Sequence, residues 1–212
     1  MSQPGFRILH DQGRQLCFVG LGNMSRLIQK EFSGSTLISL EDLEKQSPSW
    51  FNNHQFIVIT SDVALKQRIV AQVTDRGGVF FSLVHDLNRI ATSTKIGRGC
   101  YVDCYNQSLP NDDVEIGNHC LISSFIMLGH HVKIGDFCHV SAYCFLSNCE
   151  LGQGTVVGVS SRIVGKVNQT LEIADYCNIL IGSTVTKSIN SSGTYYHDRK
   201  SLSAGSLEHR TL

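Results

Sequence analysis

The chain has 212 residues, with 18 lysines and arginines against 18 aspartates and glutamates, so its formal charge is zero when the nine histidines are neutral. Without a basic excess or a basic block to neutralise phosphates, the composition argues against a nucleic-acid polymer or an anionic membrane as partner. Charged residues are 17% of the chain, below the roughly 25% of ordinary globular domains, so uncharged surface must be hidden in a large core or between subunits. No apolar run approaches the roughly 18 residues of a membrane span. Met1 to Arg14 lacks a basic-then-apolar leader pattern, and the expected location is cytoplasmic.

From Leu16 to His85 the rhythm is α/β. The strand Leu16-Cys17-Phe18-Val19 runs into Gly20-Leu21-Gly22-Asn23-Met24-Ser25, after which Leu27, Ile28 and Phe32 recur at helical spacing. Thr36 to Ser39 reads as a second strand, followed by an acidic helix start at Glu41-Asp42. Phe56 to Thr60 reads as a buried strand. Ser61 or Asp62 caps a helix whose Leu65, Ile69, Val70 and Val73 share one face, Gly77-Gly78 stops it, and Val79-Phe80-Phe81 forms a fourth strand. This alternation predicts a small Rossmann-like parallel sheet over residues 15–85, with a ligand crevice at the carboxyl ends of its strands.

Residues 90–190 follow a period of six. Ile116, Ile122, Leu128, Ile134, Val140 and Leu146 hold it without a break, Ile90, Ile96 and Val102 extend it upstream, and Leu151, Val157, Ile163, then Val167, Ile173, Ile179 and Val185 carry it downstream. A parallel β-helix accounts for this, one aliphatic residue pointing inward per flat side and three sides per coil. Cys100, Cys120, Cys138 and Cys177 each lie four residues after an isoleucine, and there is no CxxC pair. They read as small inward side chains, not as disulfide or metal ligands. Cys104 to Asp113 and Lys166 to Thr170 disturb the register. Residues 191–212 read as a polar tail outside the repeat.

The hexapeptide array resembles the left-handed β-helix of the hexapeptide-repeat acyltransferases, and its combination with a truncated Rossmann-like domain resembles the PglD/NeuD-type sugar-nucleotide acetyltransferases. Three stretches carry the likeness: the Gly20 to Ser25 turn, Leu128-Gly129-His130-His131-Val132-Lys133-Ile134-Gly135-Asp136-Phe137, and Phe137-Cys138-His139-Val140-Ser141. The resemblance implies a left-handed α/β-plus-β-helix protein that moves acetyl from acetyl-CoA to the amino group of a UDP- or dTDP-linked amino sugar, as a homotrimer and with no metal. It places His130 as general base and His139 as a second active-site group, with His131 standing where the family has an acidic residue. Histidine suits the first role because it titrates near neutrality.

The repeat predicts that His130 points outward, with Asn148 beside it one coil later. Gly20, Gly22, Asn23 and Ser25 are expected to hold the nucleotide sugar, its phosphates at a helix N-terminus. A purely structural turn and a dinucleotide site are the rival readings, although Ser25 stands where a dinucleotide fingerprint has its last glycine. Ser141, Ala142, Gly152, Gly158 and Ser160 are small residues expected to line the acetyl-CoA groove, or merely to permit corners. His54, His85 and His119 read as surface or loop histidines. Other functions consistent with the pattern are sugar O-acetylation of the sialic-acid type and a non-enzymatic trimeric β-helix module.

Overall fold

The computed structural model describes residues 5–20, 22–108 and 113–201. The opening strand β1 (Phe6–Leu9) is followed by β2 (Gln15–Val19), α1 (Asn23–Lys30), β3 (Thr36–Ile38), α2 (Leu40–Glu44), α3 (Pro48–Asn53), β4 (His54–Val58), α4 (Val63–Asp75), β5 (Val79–Phe80) and β6 (Ser82–His85). Four of the strands make a parallel sheet in the order β3-β2-β4-β5. Strand β4 is buried along its whole length, as its apolar run requires. Helix α4 starts where Asp62 accepts the Leu65 N–H at 2.9 Å, satisfying one orphan donor of the first turn. It buries Ile69, Val70 and Val73, the face its spacing predicts. Ser39 caps α2 in the same way.

Sequence reasoning missed two elements of this half. Helix α3 begins at Pro48, where the missing N–H costs nothing, and its Trp50 stacks on His54 at 3.9 Å. Strand β1 pairs antiparallel with β6. The expected strand at 79–81 is β5, which closes the α/β sheet, and directly after Phe81 the chain enters a further strand that was not expected, β6, which pairs parallel with Tyr101–Val102 and so opens the solenoid.

From there the chain winds a three-sided parallel β-helix, and its ladders fit the left-handed form. Among the described residues the first face is a nine-stranded sheet, and the second and third faces are five-stranded sheets. Inward Ile122, Leu128, Ile134, Val140 and Leu146 are all buried in one continuous core, so the period of six is met side by side. The thiols of Cys100, Cys120 and Cys138 fill one stacked slot. Each donates to a corner carbonyl of the next coil, Gly117, Gly135 and Gly152, at 3.0, 3.1 and 3.2 Å.

The corners demand left-handed backbone, and residues other than glycine often supply it. His131 and Asn148, with φ of 48° and 49°, occupy the corner between the second and third faces, and their residue types are among those that tolerate this conformation. Tyr105, Phe125 and Tyr143 occupy the corner between the first and second faces as a stack of rings 4.9 and 5.0 Å apart.

Coil length varies in one place. The register advances 20 residues from Ile96 to Ile116, 18 from Ile116 to Ile134, 17 from Ile134 to Leu151 and 22 from Leu151 to Ile173. Both long coils take their extra residues between the second and third faces, after Ser108 and after Val164. Val167, counted in the inward series, does not point inward: it is 83% exposed at the tip of the second insertion, and the inward series resumes at Leu171 and Ile173. The expected tail also begins later than residue 191, because Gly193–Tyr196 pairs with Cys177–Ile179 and extends the first face. Residues 202–212, and Leu109 to Asp112 of the first insertion, lie outside the described residues.

Candidate active site at the second-to-third corner

Leu128 anchors this corner in the core, and the two residues after Gly129 cannot follow it inward. His130 and His131 therefore stand exposed, their rings 6.4 Å apart. The His130 carbonyl accepts the Asn148 N–H at 2.6 Å, so Asn148 lies beside the histidine pair as the repeat predicts. Because the coil carrying Asn148 is one residue short, it answers both histidines and shares the left-handed slot of His131. The three residues line a cleft of about 520 Å³ whose far wall is Val167, Asn168, Gln169 and Thr170. His131 Nδ1 lies 3.8 Å from Asp113 Oδ2, a carboxylate from the coil before. The position that the family resemblance fills with an acid thus holds a histidine with an acid across the corner.

His139 is elsewhere on the chain. It sits half-buried on the first face between Leu121 and Val156, the face against which the α/β half packs through Phe18, Ile57, Phe81, Tyr101 and Leu121. Burial, and then the charge of Lys66, push the His139 imidazole down to about 4. Lys66, from α4, is only 2% exposed and donates to the His119 carbonyl at 3.1 Å. Burial brings its ammonium down to about 8. His119 is buried too, contrary to its reading as a surface residue. It stacks on Phe137 at 5.0 Å and meets Phe80 edge-on at 4.6 Å, and burial followed by Lys66 lowers it to about 4. His54 is likewise buried, its Nδ1 2.8 Å from the Trp50 carbonyl.

The glycine turn follows β2. Gly20 takes a φ of 115° and donates to the Ile38 carbonyl at 2.9 Å, while Gly22 is the N-cap of α1 and Asn23 its first residue. Gly22 and Asn23 are exposed; Ser25 is not. Its hydroxyl donates to the Ile59 carbonyl at 3.4 Å, bracing the turn against the end of β4. Among the small residues expected along the donor groove, Ser141, Ala142, Gly158 and Ser160 gather at the first-to-second corner of two successive coils, with the Ser160 N–H bonded to the Ala142 carbonyl at 3.0 Å. Gly152 stands apart at the third-to-first corner. A Cβ there would lie 2.5 Å from the Asp175 backbone nitrogen, which accounts for glycine.

Within one chain, then, His130 and Asn148 come together, and His139 and the glycine turn do not join them. Sequence reasoning marked Cys104 to Asp113 and Lys166 to Thr170 as insertions of the kind that can touch a substrate, without naming any of their residues as site residues. The signal was present: two slips in the six-residue count, both at the corner of His130.

The chain is thus a three-sided parallel β-helix wound on a period of six, with an outward histidine lining a cleft at one corner. Residues 113–148 match the bacterial transferase hexapeptide model (six repeats). The fold is shared with the acetyltransferase domain of PglB from Neisseria gonorrhoeae, at 16% identity over 89% of this chain and 98% of that one with a TM-score of 0.71. It is shared equally with PerB from Caulobacter crescentus, whose structure holds CoA and GDP-perosamine, at 16% identity over 85% and 92% of the chains with a TM-score of 0.72. In sequence, 76 residues are 29% identical to the bifunctional protein GlmU of Koribacter versatilis, spanning 35% of this chain and 16% of that protein.

Proposed function

We propose that this protein is an acetyl-CoA-dependent N-acetyltransferase acting on a nucleotide-linked amino sugar, with His130 as general base. The observation that carries the reading is the exposed His130 beside Asn148 in a cleft cut into a hexapeptide solenoid. The acetyltransferases PglB and PerB share that fold, and PerB binds CoA and GDP-perosamine. In this reading His130 takes the proton from the sugar amine as its nitrogen attacks the thioester carbonyl. The tetrahedral intermediate then collapses, the C–S bond breaks, and the imidazolium returns the proton to the departing CoA thiolate. Asn148 orients the amine or a neighbouring hydroxyl.

The division of labour assigns residues 15–85 to a Rossmann-like nucleotide-sugar domain, 90–190 to the left-handed acyltransferase domain, and 191–212 to a C-terminal segment. Gly20, Gly22 and Asn23 would receive the UDP or dTDP phosphates at the start of α1, with Ser25 holding the turn in shape. Ser141, Ala142, Gly158 and Ser160 would border the acetyl-CoA groove. His139, kept neutral at the seam between the two halves, would meet the sugar from a neighbouring protomer of a cytoplasmic homotrimer. The test is an acetylation panel with acetyl-CoA and nucleotide-linked sugars that differ only in bearing an amine or a hydroxyl. Amine-dependent release of CoA is expected, and release only with hydroxyl acceptors would move the assignment to O-acetylation.

A further inference from the structure

The cleft at His130 is not built from regular solenoid. Both lengthened coils spend their extra residues at this one corner, one before the histidine pair and one after it. The later insertion is a hairpin in which the Gln169 N–H bonds the Lys166 carbonyl at 3.0 Å and Asn168 turns with a φ of 64°. Gly165 locks it to the corner, donating to the Ser147 carbonyl at 2.9 Å while packing against the Asn148 and Gln169 carbonyls. What the hairpin presents to the cleft is one aliphatic side chain, two amides and a hydroxyl. From the earlier insertion Asp113 brings a carboxylate to the same corner, and among the described residues the lining contains neither lysine nor arginine, Lys166 at the foot of the hairpin lying outside it. A hydroxylated ring can bond to such a wall, whereas a carboxylate would meet Asp113 and find no fixed cation to pair with.

We propose that residues Val167 to Thr170 of the hairpin, together with Asp113, are the acceptor-selecting wall of the His130 cleft, admitting a neutral or amine-bearing sugar ring and rejecting a carboxylated one. This rests on the reading of the protein as a sugar-directed acyltransferase, and the test separates the two. Gln169, exposed and outside the acid-base chemistry, is the residue to change. Binding is read by ligand-observed NMR with glucosamine and glucuronate, two rings of one size that differ in charge. Wild type is expected to prefer glucosamine about tenfold. Gln169→Ala should weaken glucosamine about fivefold, the effect of one uncharged hydrogen bond. Gln169→Arg should narrow or reverse the preference by about tenfold.

In turnover, Gln169→Ala should raise KM for the amino-sugar nucleotide by a similar factor and leave KM for acetyl-CoA within about twofold. Equal binding of the two rings by wild type, a preference that Gln169→Arg leaves unchanged, or a KM change confined to acetyl-CoA overturns the proposal. A ring preference that follows the charge at residue 169 in a protein with no acetyl transfer would uphold the wall and refute the transferase reading.

Discussion

Lys66 and His119, buried, and His139, half-buried, form a cluster of basic groups where the α/β half meets the solenoid, and among the described residues no carboxylate bonds the lysine. Their burial has a pH consequence with a definite sign. A histidine whose folded pKa is depressed stays neutral in the native state while the unfolded chain takes up a proton near pH 6.5, so the unfolded state binds more protons and gains as pH falls. The stability both histidines contribute is full above about 6.5 and is lost between there and about 4. Urea unfolding at pH 7 and pH 5 should show a marked fall for wild type. His119→Asn keeps a side chain that accepts the left-handed φ of 58° and should show roughly half the fall, since one of two titrating groups is gone; an undiminished fall would place the acid sensitivity elsewhere. None of this was visible in the sequence. A histidine at a solenoid corner has the same local pattern whether solvent or another half of the molecule covers it, so His119 read as a surface residue until Phe80 and Lys66 were seen against it.

At the scale of the element, the corners decide more than the flat sides. The period of six picked out the inward residues, and those named from Val102 to Ile163 are all buried in the core, the spacing departing from six only at the second-to-third corner. The count failed at Val167, where an aliphatic residue in register by number alone sits at the tip of a hairpin. Counting cannot tell an inward residue from one in an insertion whose length nearly preserves the phase. Gly165 is where the hairpin meets the coil. A Cβ there would collide with the Asn148 and Gln169 carbonyls, backbone atoms that cannot rotate away. Gly165→Ala should cost about 1–3 kcal/mol, the usual range for overpacking, measured by denaturant unfolding, and should weaken acceptor use more than a distant corner substitution of equal cost. Unchanged stability would mean that the hairpin is not held against the Asn148 coil.

The whole molecule is two architectures sharing one first face. Strand β6 belongs to the solenoid sheet, β1 pairs with it, and Lys66 reaches from α4 to the His119 carbonyl, so the α/β half is continuous with the surface that carries His139. The sequence showed both rhythms and the corner histidine. It could not show that His130 and His139 lie on different parts of the solenoid, because residues nine apart look adjacent in a string and are separated by a corner in a coil. In the proposed homotrimer, which the family resemblance implies, a second protomer would bring the two together.

The central claim, that the imidazole of His130 performs the proton transfer in a sugar N-acetyltransferase, is tested most directly by kcat/KM for acetyl transfer to a nucleotide-linked amino sugar in wild type and His130→Ala. Removal of a general base is expected to lower kcat by about 10²–10⁴-fold, with the unfolding midpoint unchanged because His130 is exposed and fills no core position. Near-normal turnover by His130→Ala would contradict the account.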